Sequence, residues 1–148
     1  MESKLLSLFK KIKLIVFDFD GVFTDNFVYV NEKGEEMVRC CRADGIGLKR
    51  IQDLNIKMIV LSQEVNPVVI KRCEKLKLPC LTGHEKKLSV LKKIIEDNSL
   101  KPDEVCYVGN DLPDVPCMEI VGLPITVSDA IEETKKVAKQ ITDRKSVV

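Results

Sequence analysis

The sequence IKLIVFDFDGVFTD, residues 12–25, decides the fold of this chain. Its apolar, β-branched first half predicts a buried strand over Leu14–Phe17. Carboxylates at the end of a buried strand are costly unless something compensates them, and Asp18 and Asp20 point to the same face of an extended chain. Gly21 allows the tight turn that follows. We expect these carboxylates to hold a divalent cation beside a phosphoryl group. The alternative is a plain strand-to-turn junction in which Asp is a turn former.

The rest of the chain alternates between short apolar runs and amphipathic segments. Strands are predicted over Leu14–Phe17, Lys57–Leu61, Val105–Val108 and Leu123–Val127, with a shorter one over Cys80–Thr82. Helices are predicted over Gly47–Leu54, from Pro67 through Leu76, and over Glu85–Asp97, Pro113–Ile120 and Ile131–Ala138. Asp44 and Asn66 are the expected N-caps of the first two helices. The alternation predicts an α/β fold with a doubly wound parallel sheet.

One segment departs from this alternation directly after the acidic stretch. Phe27–Asn31 and Glu35–Cys41 flank a Gly-containing turn, which predicts a β-hairpin. The spacing to the next motif leaves room for this hairpin and one helix, and for no large cap domain. We therefore expect a Rossmann-like sheet with a hairpin flap over residues 27–41, in one domain that spans residues 1–148.

Composition excludes several classes of function. The chain has 148 residues, a net charge of +1 and no Trp, so a nucleic-acid partner is not expected. No apolar run approaches the roughly 20 residues that cross a bilayer, so no membrane partner is expected. The cysteines form no Cys-x-x-Cys pair, which disfavours a zinc knuckle. Free thiols fit a reducing, cytoplasmic compartment best.

Polar residues follow several predicted strands, at the edge where a doubly wound sheet binds ligands. Ser62 follows the strand Lys57–Leu61, and Gly109–Asp114 follows the strand Val105–Val108. Lys87 lies near the start of the helix predicted over Glu85–Asp97. Phosphoryl transfer needs positioning and charge neutralisation, so Ser62 is expected to donate to a phosphoryl oxygen and Lys87 to neutralise its charge. Each residue alone is also typical of a solvated loop, turn or cap, and their joint order at strand ends is what indicates a site.

The two carboxylates of the first motif have different predicted roles. Asp18 is the expected nucleophile, which forms an aspartyl-phosphate. Asp20 is expected to protonate the leaving alkoxide and then to deprotonate the attacking water. Mg²⁺ is the expected cofactor, because it prefers oxygen ligands and keeps several waters, so that two or three protein oxygens suffice.

These motifs resemble those of the haloacid dehalogenase superfamily of phosphatases, over roughly residues 13–142. Phe17–Asp25 matches the first motif, Asp-x-Asp-Gly-x-x-Thr-Asp, while Ser62, Lys87 and Gly109–Asp114 match the second, third and fourth. The small insert and the segment Arg42–Gly47 look similar to the capless branch. That branch contains octulosonate 8-phosphate and nonulosonate 9-phosphate phosphatases, and the phosphatase-like domains of acylneuraminate cytidylyltransferases.

The resemblance implies a Mg²⁺-dependent phosphatase of a 2-keto-3-deoxy sugar acid phosphate. It also implies further site residues: Asn110 and Asp111 as metal ligands beside Asp18 and Asp20, and Glu64, Arg72 and Thr24 as substrate contacts. Members of the branch are typically tetramers in which the hairpin packs between subunits. A homotetramer is therefore expected, with the hairpin over a neighbour's active site.

Some residues depart from the branch and keep other hypotheses open. Octulosonate enzymes usually carry Arg at the position of Glu64 and a second Asp at that of Asn110, which favours the nonulosonate side. Asn110 also removes one charge from the cation site, and the branch's usual Gly-Gly-x-Gly-Ala-x-Arg-Glu tail does not appear by Val148. The second hypothesis is thus a weakly active or inactive oligomerisation module that works with a sialic acid cytidylyltransferase. A phosphoacceptor signalling domain is disfavoured, because its acceptor Asp usually follows a middle strand.

Overall fold

A computed structural model describes residues 2–143. The strands are β1 Leu14–Phe17, β2 Thr24–Val30, β3 Glu36–Cys40, β4 Lys57–Leu61, β5 Cys80–Leu81, β6 Val105–Gly109, β7 Leu123–Thr126 and β8 Gln140–Ile141. The helices are α1 Glu2–Phe9, α2 Ala43–Asp53, α3 Val68–Leu76, α4 Lys87–Asp97, α5 Val115–Ile120 and α6 Glu132–Val137. Short 3₁₀ turns precede β6 and α5, at Pro102–Glu104 and Leu112–Asp114.

The main sheet is parallel and has the order β5-β4-β1-β6-β7-β8. β1 lies at its centre, where Leu14 pairs with Lys57 of β4 on one side and with Val105 of β6 on the other. The chain builds outward from β1 through β4 and β5, and then returns to the other side of β1. The order of the strands therefore reverses between β1 and β6, and ligands bind beyond the carboxyl ends of strands at such a point.

Apolar side chains cover both faces of this sheet. Leu14 and Val16 of β1 belong to a buried cluster with Leu91 of α4. Phe17 faces the other way and packs in a cluster with Leu48 of α2 and Val69 of α3. Helices on both faces of a parallel sheet confirm the predicted doubly wound α/β fold. Within residues 2–143, no helix is long and apolar enough to span a bilayer.

β2 and β3 pair antiparallel and form a separate two-stranded sheet. The predicted inserted hairpin is thus confirmed. Its turn is built by the Asn31 side chain, whose Oδ1 accepts from the backbone N–H groups of Lys33 and Glu35, both at 3.0 Å. Gly34 supplies a positive φ of 77°. The described residues contain no large cap domain between the first two motifs, because α2 follows the hairpin at once.

Helix boundaries differ from the prediction in ways that burial explains. α2 begins at Ala43, and Asp44 lies buried inside its first turn, so the prediction of Asp44 as an N-cap is wrong. An acid in that turn still interacts favourably with the helix dipole. The N-cap of α3 is Pro67 rather than the predicted Asn66, although Asn66 Oδ1 accepts from the first N–H of the helix, that of Val68, at 3.1 Å. The two-residue strand β8 was not predicted.

Candidate active site

The loop after β1 is held rigidly against the sheet. The Asp18 N–H donates to the carbonyl of Val108 at 2.9 Å, so the ladder between β1 and β6 continues into the loop. Gly21 has a φ of +85°, and a side chain there would collide with the carboxamide of Asn110. The Thr24 hydroxyl accepts from the backbone N–H groups of Gly21 and Asn26, both at 3.1 Å. The geometry of the loop therefore depends on glycine at position 21.

Lys87, the first residue of α4, links two carboxylates of the site. Its Nζ donates to Asp18 Oδ1 at 2.6 Å and to Asp114 Oδ1 at 2.8 Å. All three side chains are buried, with Lys87 only 4% exposed. Buried charges are tolerated when they are paired and hydrogen-bonded, and this ammonium meets that condition.

The electrostatics of the site show an excess of negative charge. Burial, and next the charge of Asp114, raise the pKa of Asp18 to about 7, although Lys87 acts in the opposite direction. Burial and the nearby Glu64 carboxylate also raise the pKa of Asp20. Burial lowers the pKa of Lys87, but the two carboxylates beside it outweigh that effect and leave its pKa above the ordinary value. A cation at this position would relieve the repulsion among the acids.

A cavity of about 270 Å³ opens at the carboxyl ends of the strands. It brings together most of the predicted site residues, namely Asp18, Asp20, Ser62, Glu64, Lys87, Asn110 and Asp111. Ser62 is buried at the end of β4, and its hydroxyl accepts from the Glu64 N–H at 3.1 Å. The acids, the hydroxyl and the ammonium thus share one space, and their individual roles remain predictions.

Thr24 and Arg72 are not among the residues that line this cavity. Thr24 is completely buried, and its hydroxyl serves the loop backbone. Arg72 donates through Nη2 to the carbonyl of Cys41 at 2.9 Å. It lines a separate cavity that it shares with Arg42 and Lys75. Neither side chain meets the acidic cavity within this chain, so the prediction of both as substrate contacts is not supported by a single copy.

The residues present fit a bound divalent cation. Asn110 Oδ1 is buried and has no hydrogen-bond partner among residues 2–143, and the residue Asn110 lines the cavity together with Asp18 and Asp20. An orphaned carbonyl oxygen beside two carboxylates is the donor set that Mg²⁺ prefers. In the part of the chain that the structure describes, no three His, Cys, Asp or Glu side chains are grouped to hold a metal, so the Asn110 amide would be needed. Asp111 is a weaker candidate, because its Oδ1 already accepts from the Leu112 N–H at 2.7 Å.

Asn26 and Tyr107 are among the residues of the site that the sequence did not reveal. Asn26 lines the cavity and has a φ of 69°, a conformation that Asn tolerates better than most residues. Tyr107 lies beneath the cavity and donates through its hydroxyl to Asp114 at 2.7 Å. Tyr107 could have been found from its place in a strand predicted to be wholly buried. A hydroxyl there requires a hydrogen-bond partner.

Residues 61–147 match the haloacid dehalogenase-like hydrolase family. The chain belongs to this family. It is similar to the 3-deoxy-D-manno-octulosonate 8-phosphate phosphatase of Salmonella typhi, with 32% identity over 131 residues that cover 88% of this chain and 70% of that protein. It is also 32% identical over 123 residues to N-acylneuraminate cytidylyltransferase A of Danio rerio, covering 80% of this chain but only 28% of that protein.

Solved structures of relatives have the same fold. A hydrolase of this family from Streptomyces avermitilis superposes with a TM-score of 0.89 at 38% identity, covering 92% of this chain and 78% of that one. The octulosonate 8-phosphate phosphatase of Moraxella catarrhalis, in complex with magnesium, phosphate and KDO, gives 0.93 at 25% identity, with 98% and 84% covered. These likenesses confirm both the family and the α/β architecture predicted from the sequence.

Proposed function

We propose that this chain, a phosphoric monoester hydrolase by family, removes the phosphoryl group from a 2-keto-3-deoxy sugar acid phosphate with Mg²⁺ as its cofactor. The observation that carries the proposal is the Lys87 ammonium, held 2.6 Å from Asp18 Oδ1 in a cavity that also contains Asp20 and Ser62. Such a cavity supplies a nucleophile, positive charge and a hydroxyl donor to one phosphoryl group. Relatives named as phosphatases support the same reaction.

The proposed reaction has two steps, and both use the first motif. An Asp18 oxygen forms a bond to phosphorus as the ester oxygen leaves, and Asp20 gives its proton to the departing alkoxide. Asp20 then takes a proton from water, which attacks phosphorus and releases inorganic phosphate and free Asp18. Lys87 and Ser62 hold the phosphoryl oxygens during both steps.

Asp18, Asp20 and Asn110 would hold the cofactor, with Asp111 as a further candidate. When bound, Mg²⁺ supplies positive charge that neutralises phosphoryl oxygens. Asn110 contributes a neutral carbonyl in place of a third carboxylate, so we expect moderate metal affinity. The orphaned Asn110 Oδ1 supports this assignment independently of the relatives.

The substrate class is proposed more narrowly from the cavity edge. Glu64 lies there, and its Oε1 accepts from the N–H groups of Val65 and Asn66, both at 2.9 Å. A carboxylate at this position accepts hydrogen bonds from sugar hydroxyls, whereas the octulosonate enzymes of the branch that the chain resembles usually carry Arg there. It favours a nonulosonate 9-phosphate, whereas the phosphatases among the curated relatives favour octulosonate 8-phosphate. Both therefore belong in the first substrate panel.

We further propose that residues 1–148 act as one cytoplasmic domain that assembles into a homotetramer through the hairpin of about residues 27–41. Exposed apolar side chains on that hairpin, such as Phe27 and Tyr29, support an interface there. In such an assembly, Arg72 would contact substrate only in the cavity of a second copy, whereas the completely buried Thr24 would support the loop after β1.

A second candidate function is a weakly active or inactive module that works with a sialic acid cytidylyltransferase. It is favoured by Asn110 in the metal set and by the similarity to 28% of the length of a cytidylyltransferase. This candidate predicts a folded oligomer without turnover, so the same assay separates the two.

The test is Mg²⁺-dependent phosphate release from nonulosonate 9-phosphates and octulosonate 8-phosphate, with Asp18→Asn as the blank. We expect release by the wild type and a loss of at least about 1,000-fold in the blank, because a neutral amide cannot attack phosphorus. Full turnover by folded Asp18→Asn would exclude the nucleophile assignment. No release from any substrate by a folded oligomer would favour the module instead.

A further inference from the structure

Tyr107 is a buried polar residue for which the proposed reaction has no direct use. It lies in the middle of β6, where every position is buried, and its own exposed fraction is 0%. Phe would fill the same volume without a hydroxyl that must be removed from water. A buried hydroxyl is retained at little cost only when it is paired, so its partner indicates what it does.

That partner is the carboxylate that holds Lys87. Tyr107 Oη donates to Asp114 Oδ1 at 2.7 Å, and the same oxygen accepts from Lys87 Nζ at 2.8 Å. The other oxygen, Oδ2, accepts from the backbone N–H groups of Asn110 at 2.9 Å and Asp111 at 3.2 Å. These four donors fix the orientation of the Asp114 carboxylate. The Tyr107 hydroxyl holds Oδ1, which is the oxygen that also accepts from Lys87.

The direction of the Lys87 ammonium follows from this arrangement. An ammonium has three N–H donors, and two of them point to Asp18 Oδ1 and Asp114 Oδ1. One donor remains for a group in the cavity that Lys87 lines. Tyr107 and Lys87 donate to the same oxygen, Asp114 Oδ1. The hydroxyl therefore reduces the attraction of that oxygen for the ammonium. Without the hydroxyl, Lys87 would move toward Asp114 and away from the cavity.

We propose that Tyr107 is a positioning residue for phosphoryl transfer. Its hydroxyl fixes Asp114, and through Asp114 it keeps the third N–H of Lys87 directed at the phosphoryl group. Tyr107 itself touches neither substrate nor metal. The inference rests on the proposed function for its effect on turnover, while the effect on the Lys87 ammonium is independent of any activity.

The test is Tyr107→Phe in the full chain, which removes one oxygen and keeps the ring. With p-nitrophenyl phosphate and Mg²⁺, we expect kcat to fall about 10- to 100-fold with KM within about twofold, because the loss concerns charge that develops in the transition state. Inhibition by orthovanadate, which resembles the transition state, should weaken by a similar factor. Inhibition by inorganic phosphate should change by less than about twofold.

A spectroscopic readout tests the position of Lys87 directly. The ¹⁵N signal of its buried ammonium, assigned with Lys87→Arg, should shift or broaden in Tyr107→Phe. Cys106→Ala is the matched control: it lies next to Tyr107 on β6 but packs on the other face of the sheet. We expect it to lower the melting temperature and to leave both kcat and the Lys87 signal unchanged.

The outcomes separate this inference from the proposed function. A Tyr107→Phe protein with an unchanged Lys87 signal and wild-type kcat would overturn the inference alone. The inference would also be overturned if the loss of kcat and vanadate affinity were fully explained by the unfolded fraction of the variant. Cys106→Ala calibrates that effect of unfolding. An inactive wild type whose Lys87 signal still moves in Tyr107→Phe would overturn the phosphatase proposal and support the positioning of Lys87.

Discussion

Two regions of this molecule reverse the usual distribution of polar and apolar side chains. At the carboxyl ends of β1 and β6, the charged residues Asp18, Lys87 and Asp114 are buried. On the hairpin β2–β3, large apolar residues face outward, with Phe27 70% and Tyr29 66% exposed. The first region is compensated within the chain, because Lys87 bonds to both acids. The second has no such compensation.

The difference between the buried charges and the exposed apolar hairpin indicates a different kind of function for each region. Buried polar groups persist only with partners, so the unpaired Asn110 Oδ1 beside this network supports the proposal that a cation binds there. Exposed apolar side chains that lie together on one small sheet mark a surface for another chain. We therefore propose a bound ion for the site and a second protein chain for the hairpin.

The largest expected effect comes from breaking the buried network with Lys87→Met. Removing the ammonium leaves Asp18 and Asp114 buried without their shared partner, so the free energy of unfolding should fall by about 3–5 kcal/mol. Urea unfolding in EDTA measures this loss. The matched control is Lys93→Met on the same helix, whose ion pair with Asp97 is exposed and should contribute less than about 1 kcal/mol. Equal losses in the two variants would show that the buried network contributes no more to the free energy of unfolding than an exposed ion pair does.

A smaller effect is expected from Asn110→Asp, which tests the proposed cation site. A third carboxylate beside Asp18 and Asp20 should tighten Mg²⁺ binding about tenfold, and should increase the rise in melting temperature that Mg²⁺ produces. Calorimetric titration measures the affinity. Asn26→Asp adds the same charge elsewhere on the cavity wall and should change it less. A metal titration that Asn110→Asp leaves unaltered would place Asn110 outside the ligand set.

The smallest effect on the folded chain itself is expected on the hairpin. Phe27 and Tyr29 both lie on β2, and both side chains are largely exposed. Replacing both with Ser should change the free energy of unfolding by about 0.5 kcal/mol or less, since nothing is uncovered. It should nonetheless lower the molecular mass in light scattering. Leu54→Ser, 69% exposed at the end of α2, is the control that should leave the mass unchanged. An unaltered mass in the hairpin variant would reject the interface.

Local sequence patterns were sufficient for most of the secondary structure. The apolar run of Leu14–Phe17 and its counterparts are strands because they are too short for helices and bury most of their residues within the sheet. Boundaries were less well predicted where tertiary burial competes with local capping. Asp44 has the chemistry of an N-cap, yet α2 starts one residue before it and buries it. The pairing that defines β8 is a tertiary contact with β7, which two residues cannot encode alone.

The sequence by itself determined the fold class, the inserted hairpin and the family, because strand periodicity and the acidic motif after β1 are local properties. It also identified most of the polar residues that line the cavity, since the carboxyl ends of parallel strands must meet. Only the tertiary structure decided how they connect. Lys87 is separated from Asp18 by 69 positions and from Asp114 by 27, and which of its donors each acid takes depends on packing. The same holds for Tyr107 beneath Asp114, and for the separation of Thr24 and Arg72 from the cavity, because the direction of a side chain is set by its neighbours in space.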